Sequence, residues 1–222
     1  MRATETVSFP EVASAAEDGL LLLGGRLTEP WILEGYRRGI FPWPTGDENG
    51  TSLAWFSPDP RGIVELDGLH ISRRLARRIR SDQYRVSINR DFTSVMAGCA
   101  ARRRDDESTW ITRELARAYI HLHRRGFAHS IEVWQEDQLV GGLYGVAQGG
   151  VFFAESMFSH RRDASKVALA HLVTRLRRRD FVLLDIQQVT PHMTRMGATE
   201  ISRHDYLKRL TSALRKQVQF HG

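Results

Sequence analysis

The sequence of 222 residues predicts an α+β fold, in which a mostly helical N-terminal region precedes a domain built on a mixed sheet. Two observations predict this fold. Capping and stop signals typical of helices dominate the first half, whereas the second half carries short apolar runs separated by turn residues. We expect a loose leader at residues 1–18, an N-terminal domain at 19–100 and a C-terminal domain at 101–222.

The N-terminal region carries the start and stop signals of several helices. Thr28 can cap the first helix, which Gly39 would end, and Ser72 can start a second, very basic helix. Residues 40–60 hold two Pro- and Trp-rich clusters around a polar Gly-rich loop, a pattern too rigid and aromatic for a plain linker. The helices are predicted at residues 28–39, 72–80, 91–101 and 112–125.

The second half changes to the short period of strands. Three apolar runs joined by tight turns predict an antiparallel meander at residues 130–134, 139–146 and 151–158. Asp163 or Ser165 can then cap a helix whose last turn is rich in arginine, which suits the negative end of a helix. A strand at 181–187, a short helix that ends at Gly197 and a helix at 204–216 complete the predicted elements.

The element order of this second half resembles that of the GCN5-related N-acetyltransferases, so we expect a fold of that type. Those enzymes usually cradle the pyrophosphate of coenzyme A with a Gly-rich loop that opens the helix after the central strand. Residues 159–166 occupy that place here and contain no glycine. The missing glycine argues against an acyl-CoA N-acyltransferase, which is the alternative hypothesis and which detectable binding of coenzyme A would support.

Two apolar strands of this half carry acid or amide groups in mid-run. Strand alternation places Glu155 on one face together with Phe153 and Met157, and it places Asp185 and Gln187 together on a face of the later strand. An ionised carboxylate on an apolar face costs free energy unless it is paired. The pattern indicates a site that holds a cation or an amine beside an apolar pocket, while a structural ion pair is the simpler reading.

Composition narrows the class of protein. The net charge is +6 and the isoelectric point about 10.0, mostly from arginine, which favours a polyanionic partner such as nucleic acid, unless a GC-rich genome explains the arginine content. The single cysteine, Cys99, excludes an internal disulfide and a multi-cysteine zinc site, and we expect no metal. Since no apolar run is long enough to span a bilayer and residues 1–18 lack a secretory signal, we expect a cytoplasmic protein.

Several long motifs, in order and at matching spacing, resemble the leucyl/phenylalanyl-tRNA–protein transferases. The motifs lie at residues 36–43, 55–61, 129–134, 141–145, 153–159, 163–166, 185–192 and 196–198. Two departures are found. The family usually has Gly-Gly-Asp-Leu where this chain has Gly24-Gly25-Arg26-Leu27, and often two tryptophans where this chain has Trp55-Phe56.

This resemblance implies a reaction and its partners. Leucine or phenylalanine, with methionine as a further donor, is moved from aminoacyl-tRNA to the N-terminal α-amine of proteins that begin with Arg or Lys, which marks them for N-degron degradation. The aminoacyl ester is already activated, so no cofactor is expected, whether ATP, a metal or coenzyme A. The resemblance also implies a GCN5-like catalytic domain at 101–222 and a monomer with no membrane partner.

The candidate site residues fall into four groups. At positions that the resemblance implicates in catalysis, Gln187 would contact the acceptor amine, and Asp185 would orient it and favour loss of its proton. A double role, in which Asp185 also binds the acceptor's guanidinium, is the alternative for that residue. Glu155 would bind the acceptor's basic residue through a charge-assisted hydrogen bond. The aminoacyl pocket would be lined by Tyr144, Phe153, Met157, Leu172 and Ile186. The tRNA would be bound by Trp43, Trp55, Trp110, Arg73, Arg74, Arg77, Arg78 and Lys166.

Each of these assignments has a simpler structural alternative. Trp43 and Trp55 can be ordinary core between domains, and the arginines from Arg73 to Arg78 can be a solvated helix face. A catalytically silent RNA-binding module is the third hypothesis for the whole protein. It would gain support if Asp185→Ala left every measured activity unchanged.

Overall fold

The computed structural model describes residues 6–47, 50–101 and 110–221, and within them the strands form two sheets. The smaller sheet has the order β1-β3-β2 and the larger one β10-β4-β9-β8-β7-β6-β5. The strands are β1 (Leu20–Leu23), β2 (Phe41–Asp47), β3 (Gly50–Phe56), β4 (Arg61–Val64), β5 (Arg85–Ile88), β6 (Ala128–Gln135), β7 (Gln138–Gln148), β8 (Val151–Ser159), β9 (Leu183–Gln187) and β10 (Ala198–Ile201). The helices are α1 (Glu29–Arg37), α2 (Arg73–Arg80), α3 (Phe92–Ala100), α4 (Arg113–Arg124), α5 (Ala164–Arg178), α6 (Pro191–Thr194) and α7 (Arg203–Leu214).

The predicted helices are confirmed, and most begin where a capping side chain predicts. Ser72 Oγ accepts a hydrogen bond from the Leu75 N–H at 3.2 Å, and Thr112 Oγ1 accepts one from the Leu115 N–H at 3.1 Å. α5 begins differently, because Asp163 adopts a left-handed conformation (φ 65°) and its carboxylate makes no capping bond. That carboxylate is therefore left to contact neighbouring cations.

The predicted α+β class is confirmed, but the prediction that the N-terminal region is mostly helical is wrong. Between α1 and α2 the chain forms the β2–β3 hairpin, in which Trp43 pairs with Ala54 and Pro42 pairs with Trp55. The two prolines of β2 disfavour a strand in the sequence, because a proline has no N–H to donate to a neighbouring strand. β2 tolerates them because it is the edge strand of the smaller sheet, where a missing N–H breaks no central ladder.

The larger sheet contains the predicted antiparallel meander β6–β7–β8, followed by α5 and then by β9, which pairs parallel to β8. It also takes β4 and β5 from the chain before residue 100. The predicted boundary between residues 100 and 101 stays a prediction. In the described part of the chain, no helix is both long and apolar enough to cross a membrane.

The two faces of this sheet bury separate sets of apolar side chains. Tyr144 and Phe153 pack on the face that holds α1 and α4, whereas Leu143 and Phe152 pack with α5 on the other face. β8 and β9 are paired only from Val151 to Phe153, opposite residues 183–185. Beyond that point the two strands diverge, and the sheet opens into a cleft.

Candidate active site

A cavity of about 550 Å³ lies in the cleft between β8 and β9. Residues of β7, β8, α5 and β9 and the segment around α6 line it. Its apolar wall consists of Leu143, Ala154, Met157, Phe158, Ile186 and Met193, and its polar wall of Glu155, Ser156, Ser159, Ser165, Gln188, Thr190 and His192. A larger cavity, of about 830 Å³, lies beside the start of β6 and the end of β7, and no carboxylate lines it.

Glu155 is the carboxylate that reaches the smaller cavity, and a β-bulge places it there. The pairing of β7 with β8 skips this residue, because Tyr144 pairs with Ser156 and Gly145 pairs with Ala154. A bulge of this kind re-aims a side chain and reverses the alternation beyond it. Phe153 and Glu155 therefore keep one face, whereas Met157 lies on the opposite face, which corrects the predicted common face.

Neutral donors hold the Glu155 carboxylate. The Tyr119 hydroxyl donates to Oε2 at 3.0 Å, and the Gln187 amide Nε2 donates to Oε1 at 2.9 Å. The hydroxyl of Tyr36 in turn contacts that of Tyr119. Burial raises the pKa of Glu155 to about 7, although the hydrogen bonds of the two tyrosines oppose the rise. This group therefore changes charge near neutral pH.

Asp185 is in a different environment, since it is fully buried and ion-paired. Its oxygens accept from Arg61 Nε at 3.0 Å, from Arg61 Nη2 at 2.7 Å, from the Tyr206 hydroxyl at 2.6 Å and from the Gln187 backbone N–H at 2.9 Å. Four donors match the acceptor capacity of a carboxylate. Direct binding of an acceptor group by Asp185 does not fit this position, whereas its role in orienting the amine stays a prediction.

Gln187 ends β9 in a left-handed backbone conformation (φ 60°). Its side chain is mostly buried and reaches across the cleft to Glu155 on β8. Because Nε2 donates to that carboxylate, the Oε1 carbonyl is the part of the amide that can accept a hydrogen bond from an amine. The structure thus brings Glu155, Asp185 and Gln187 together: Glu155 lines the cavity, and Gln187 lies behind it, bonded to Glu155 through Nε2.

The structure brings only two of the five residues predicted for an aminoacyl pocket to this cavity. Met157 and Ile186 line the cavity, whereas Tyr144, Phe153 and Leu172 are fully buried in the core and do not line it. Phe153 does not line the cavity because it lies where β8 is still paired with β9, opposite Asp185, before the two strands diverge. The bulge at Glu155 brings Met157 to the cavity. Sequence reasoning missed Leu143, Phe158 and Met193; the Gly141-Gly142-Leu143 run was the available signal for the first of them.

The three candidate tryptophans have separate environments. Trp43 is 37% exposed and stacks on Trp110, with ring centroids 4.5 Å apart and planes 12° apart. Trp55 is fully buried, packs against Phe9 and Trp31, and donates its indole N–H to the Gly24 carbonyl at 2.9 Å. A stacking role for Trp55 is therefore excluded by its burial, while Trp43 and Trp110 can offer a stacking surface.

The basic residues of α2 lie beside the start of α5, near the cavity wall at Ser165. Arg73, Arg74 and Arg77 are exposed, whereas the guanidinium of Arg78 lies 5.7 Å from the centre of the Tyr84 ring. Arg74 and Lys166 each lie 3.4 Å from Asp163, the left-handed residue that precedes α5. Across the described residues no group of three or more His, Cys, Asp and Glu side chains could hold a metal ion.

Comparison with known proteins supplies an independent line of argument. The family model described as leucyl/phenylalanyl-tRNA protein transferase matches residues 63–211, and the model of the N-terminal domain of the same family matches residues 25–59. A leucyl/phenylalanyl-tRNA–protein transferase of Pseudomonas fluorescens is 48% identical over 209 residues, covering 92% of this chain and 91% of that protein. One of Rubrobacter xylanophilus is 51% identical over 196 residues, covering 88% and 99%.

Similarity to solved structures is much weaker. A GCN5-related N-acetyltransferase from Kribbella flavida aligns with a TM-score of 0.42 and 9% identity, over 75% of this chain and 58% of that one. The L-PGS structure from Bacillus licheniformis aligns with a TM-score of 0.41 and 14% identity, over 75% and 52%.

Proposed function

Since this chain belongs to the leucyl/phenylalanyl-tRNA–protein transferase family, we propose that it moves leucine or phenylalanine from aminoacyl-tRNA to proteins whose N-terminal residue is Arg or Lys. The single observation that supports the acceptor class is that Glu155 is the one carboxylate among the residues that line the cavity between β8 and β9. A carboxylate there favours a cationic side chain. The proposal includes a cytoplasmic monomer that marks its targets for N-degron degradation.

The reaction joins the acceptor amine to the aminoacyl group. The neutral α-amine attacks the ester carbonyl, a C–N bond forms, the C–O bond to the ribose breaks, and the amine proton ends on the released ribose oxygen. The α-amine has an ordinary pKa of about 7.7–8.0, so part of it is already neutral near pH 7 and a mild base suffices to take up the proton of the attacking amine. This reaction needs no cofactor, because the aminoacyl ester is already activated.

The residues of the cleft divide these tasks. Gln187 Oε1 accepts a hydrogen bond from the attacking amine, while Gln187 Nε2 stays bound to Glu155. Glu155, when ionised, binds the guanidinium or ammonium of the acceptor's first side chain. Asp185 acts on catalysis through Gln187, because its own oxygens are occupied.

The donor binds between the apolar wall and the basic surface. Leu143, Met157 and Ile186 contact the leucyl or phenylalanyl side chain. A pocket of such groups separates side chains that differ by one methylene by only about 1–3 kcal/mol, so methionine is a tolerated donor. The terminal adenosine stacks on the Trp43–Trp110 pair, and α2 with Lys166 contacts the phosphates.

The test is transfer of radiolabelled leucine from charged tRNA to a model protein that begins with Arg, compared with the same protein beginning with Gly. Label on the Arg protein alone supports the proposal, and Gln187→Ala should lower that transfer while tRNA binding stays unchanged. Gln148→Ala is the matched control, since this amide is similarly buried but lies outside the cleft. Label on neither protein, with transfer from acetyl-CoA instead, would favour the acyl-CoA alternative.

A further inference from the structure

Arg61 of β4 is a fully buried cation beneath the cleft, and its contacts reach four parts of the chain. Beyond its two bonds to Asp185, its Nη1 donates to the Gly39 carbonyl at 2.9 Å. Its guanidinium carbon lies 4.4 Å from the centre of the Tyr206 ring and 5.0 Å from that of Phe41. A buried ion pair is weak evidence of a contribution to stability, because desolvation offsets much of the attraction. The arrangement therefore calls for another explanation.

The carboxylate that Arg61 holds also fixes the turn at the end of β9. Asp185 Oδ1 accepts the backbone N–H of Gln187 two residues on, a local bond that favours a turn. A non-glycine residue at positive φ costs free energy and persists where its surroundings impose it. Gly62, which pairs with Gln187, adds a second constraint, because a Cβ there would lie 2.9 Å from the Gln188 carbonyl carbon.

We propose that Arg61 and Tyr206 are positioning residues for aminoacyl transfer: by fixing the Asp185 carboxylate, they hold the Gln187 backbone and so aim its amide at the acceptor amine. This inference rests on the proposed function. Neither residue touches the cavity, and both act through Asp185. Arg61 and Phe41 come from chain segments far from β9 in sequence, so the aim of Gln187 depends on the N-terminal region.

An electrostatic consequence separates this role from a merely structural one. The charges of Asp185 and Arg61 act on Glu155 in opposite directions, the first raising and the second lowering its pKa. Loss of the Arg61 cation should therefore raise the pKa of Glu155 above about 7. Among the described residues, the other titratable groups that face Glu155 are the neutral hydroxyls of Tyr36, Tyr119 and Tyr144 and the imidazole of His192, which lines the same cavity.

The test compares two variants that each lose one buried hydroxyl. Tyr206→Phe removes a donor to Asp185, whereas Ser57→Ala removes a hydroxyl that has no hydrogen-bond partner among the described residues and lies away from the cavity. We expect Tyr206→Phe to lower kcat by about tenfold to a hundredfold with KM for either substrate within about twofold, the effect typical of a misplaced catalytic group. Ser57→Ala should leave kcat unchanged. Circular dichroism gives the folded fraction of each variant for normalisation.

Arg61→Lys supplies the second readout, since a lysine keeps the positive charge but cannot replace the two-pronged guanidinium. We expect kcat to fall at least as far as in Tyr206→Phe. Arg61→Met should in addition displace the acidic limb of the pH profile to higher pH. If Arg61→Met does not fold, Tyr206→Phe decides alone: folded protein with wild-type kcat overturns the inference. Absence of transfer by the wild-type protein would instead refute the proposed function.

Discussion

Replacing Glu155 with Gln should change how transfer depends on pH and on the acceptor. Glu155→Gln keeps the size of the side chain and one carbonyl oxygen. The Tyr119 hydroxyl can accept as well as donate, so the hydrogen bonds around the new amide can be remade. The substitution removes one property, the negative charge that appears as the group ionises near pH 7.

The magnitude follows from two ionisations. For an Arg acceptor, transfer by the wild type requires ionised Glu155, with a pKa of about 7, and a neutral α-amine, with a pKa of about 7.7–8.0. Below pH 6 the ionised carboxylate and the neutral amine are both scarce, so kcat/KM of the wild type should fall about a hundredfold per pH unit. In Glu155→Gln only the amine titrates, so kcat/KM should fall about tenfold per pH unit. At pH 8 the lost charge-assisted hydrogen bond, about 1.5–3 kcal/mol, should lower kcat/KM for Arg acceptors by about 10- to 150-fold.

The assay measures initial rates of radiolabelled leucine transfer between pH 5 and pH 8 to peptides that begin with Arg or with Gly. Glu132→Gln is the matched control, because Glu132 is a buried carboxylate outside the cleft that accepts from Ser87 Oγ at 2.6 Å. It should keep the wild-type slope and the wild-type preference for Arg. The reasoning is refuted if Glu155→Gln retains the steeper slope, or if its ratio of Arg to Gly transfer equals that of the wild type.

Three further outcomes are expected. Burial raises the folded-state pKa of Glu155 from 4.5 to about 7, so the wild-type protein should lose stability as pH rises through that window, by at most about 3 kcal/mol. Urea unfolding at pH 5 and pH 8 measures this loss, and Glu155→Gln should not show it. In a filter-binding assay, Trp43→Ala should weaken binding of charged tRNA by about 1–3 kcal/mol. A tRNA that lacks its terminal adenosine should bind the wild type and Trp43→Ala equally. Alanine at four arginines of α2 should weaken tRNA binding and flatten its dependence on salt, and an unchanged slope would mean that these residues form a solvated face. Those arginines are Arg73, Arg74, Arg77 and Arg78.

Local signals in the sequence were sufficient for the helices and the meander, but not for the short strands. β4, β5 and β10 have four residues each, too few to show a period. β4 in particular pairs with β9, more than a hundred residues further along the chain, so its assignment depends on a partner that local patterns do not reveal. Arg61, which follows a proline and precedes a glycine, reads as a surface loop residue and is fully buried.

The chemistry of the candidate site was predictable from the residue types, whereas the roles of those residues depended on tertiary contacts. Both acids stood out because each interrupts an apolar strand. A bulge that no local motif marks gives Glu155 its access to the cavity and moves Met157 to the opposite face from Phe153. In the same way, the candidate tryptophans are alike in sequence, and only packing separates buried Trp55 from exposed Trp43.

Glu155 and Asp185 have different environments because their partners differ. Asp185 is paired with a guanidinium, which stays protonated in proteins, so its charge is matched and its oxygens are occupied. Glu155 receives only neutral donors and keeps both access to the cavity and a pKa of about 7. A cationic acceptor that enters the cleft therefore meets one negative charge that is free to bind it, and its own charge favours the ionised form of Glu155. The acceptor would thus promote the ionisation on which its recognition depends, and its affinity should rise with pH until Glu155 is fully ionised in the free enzyme.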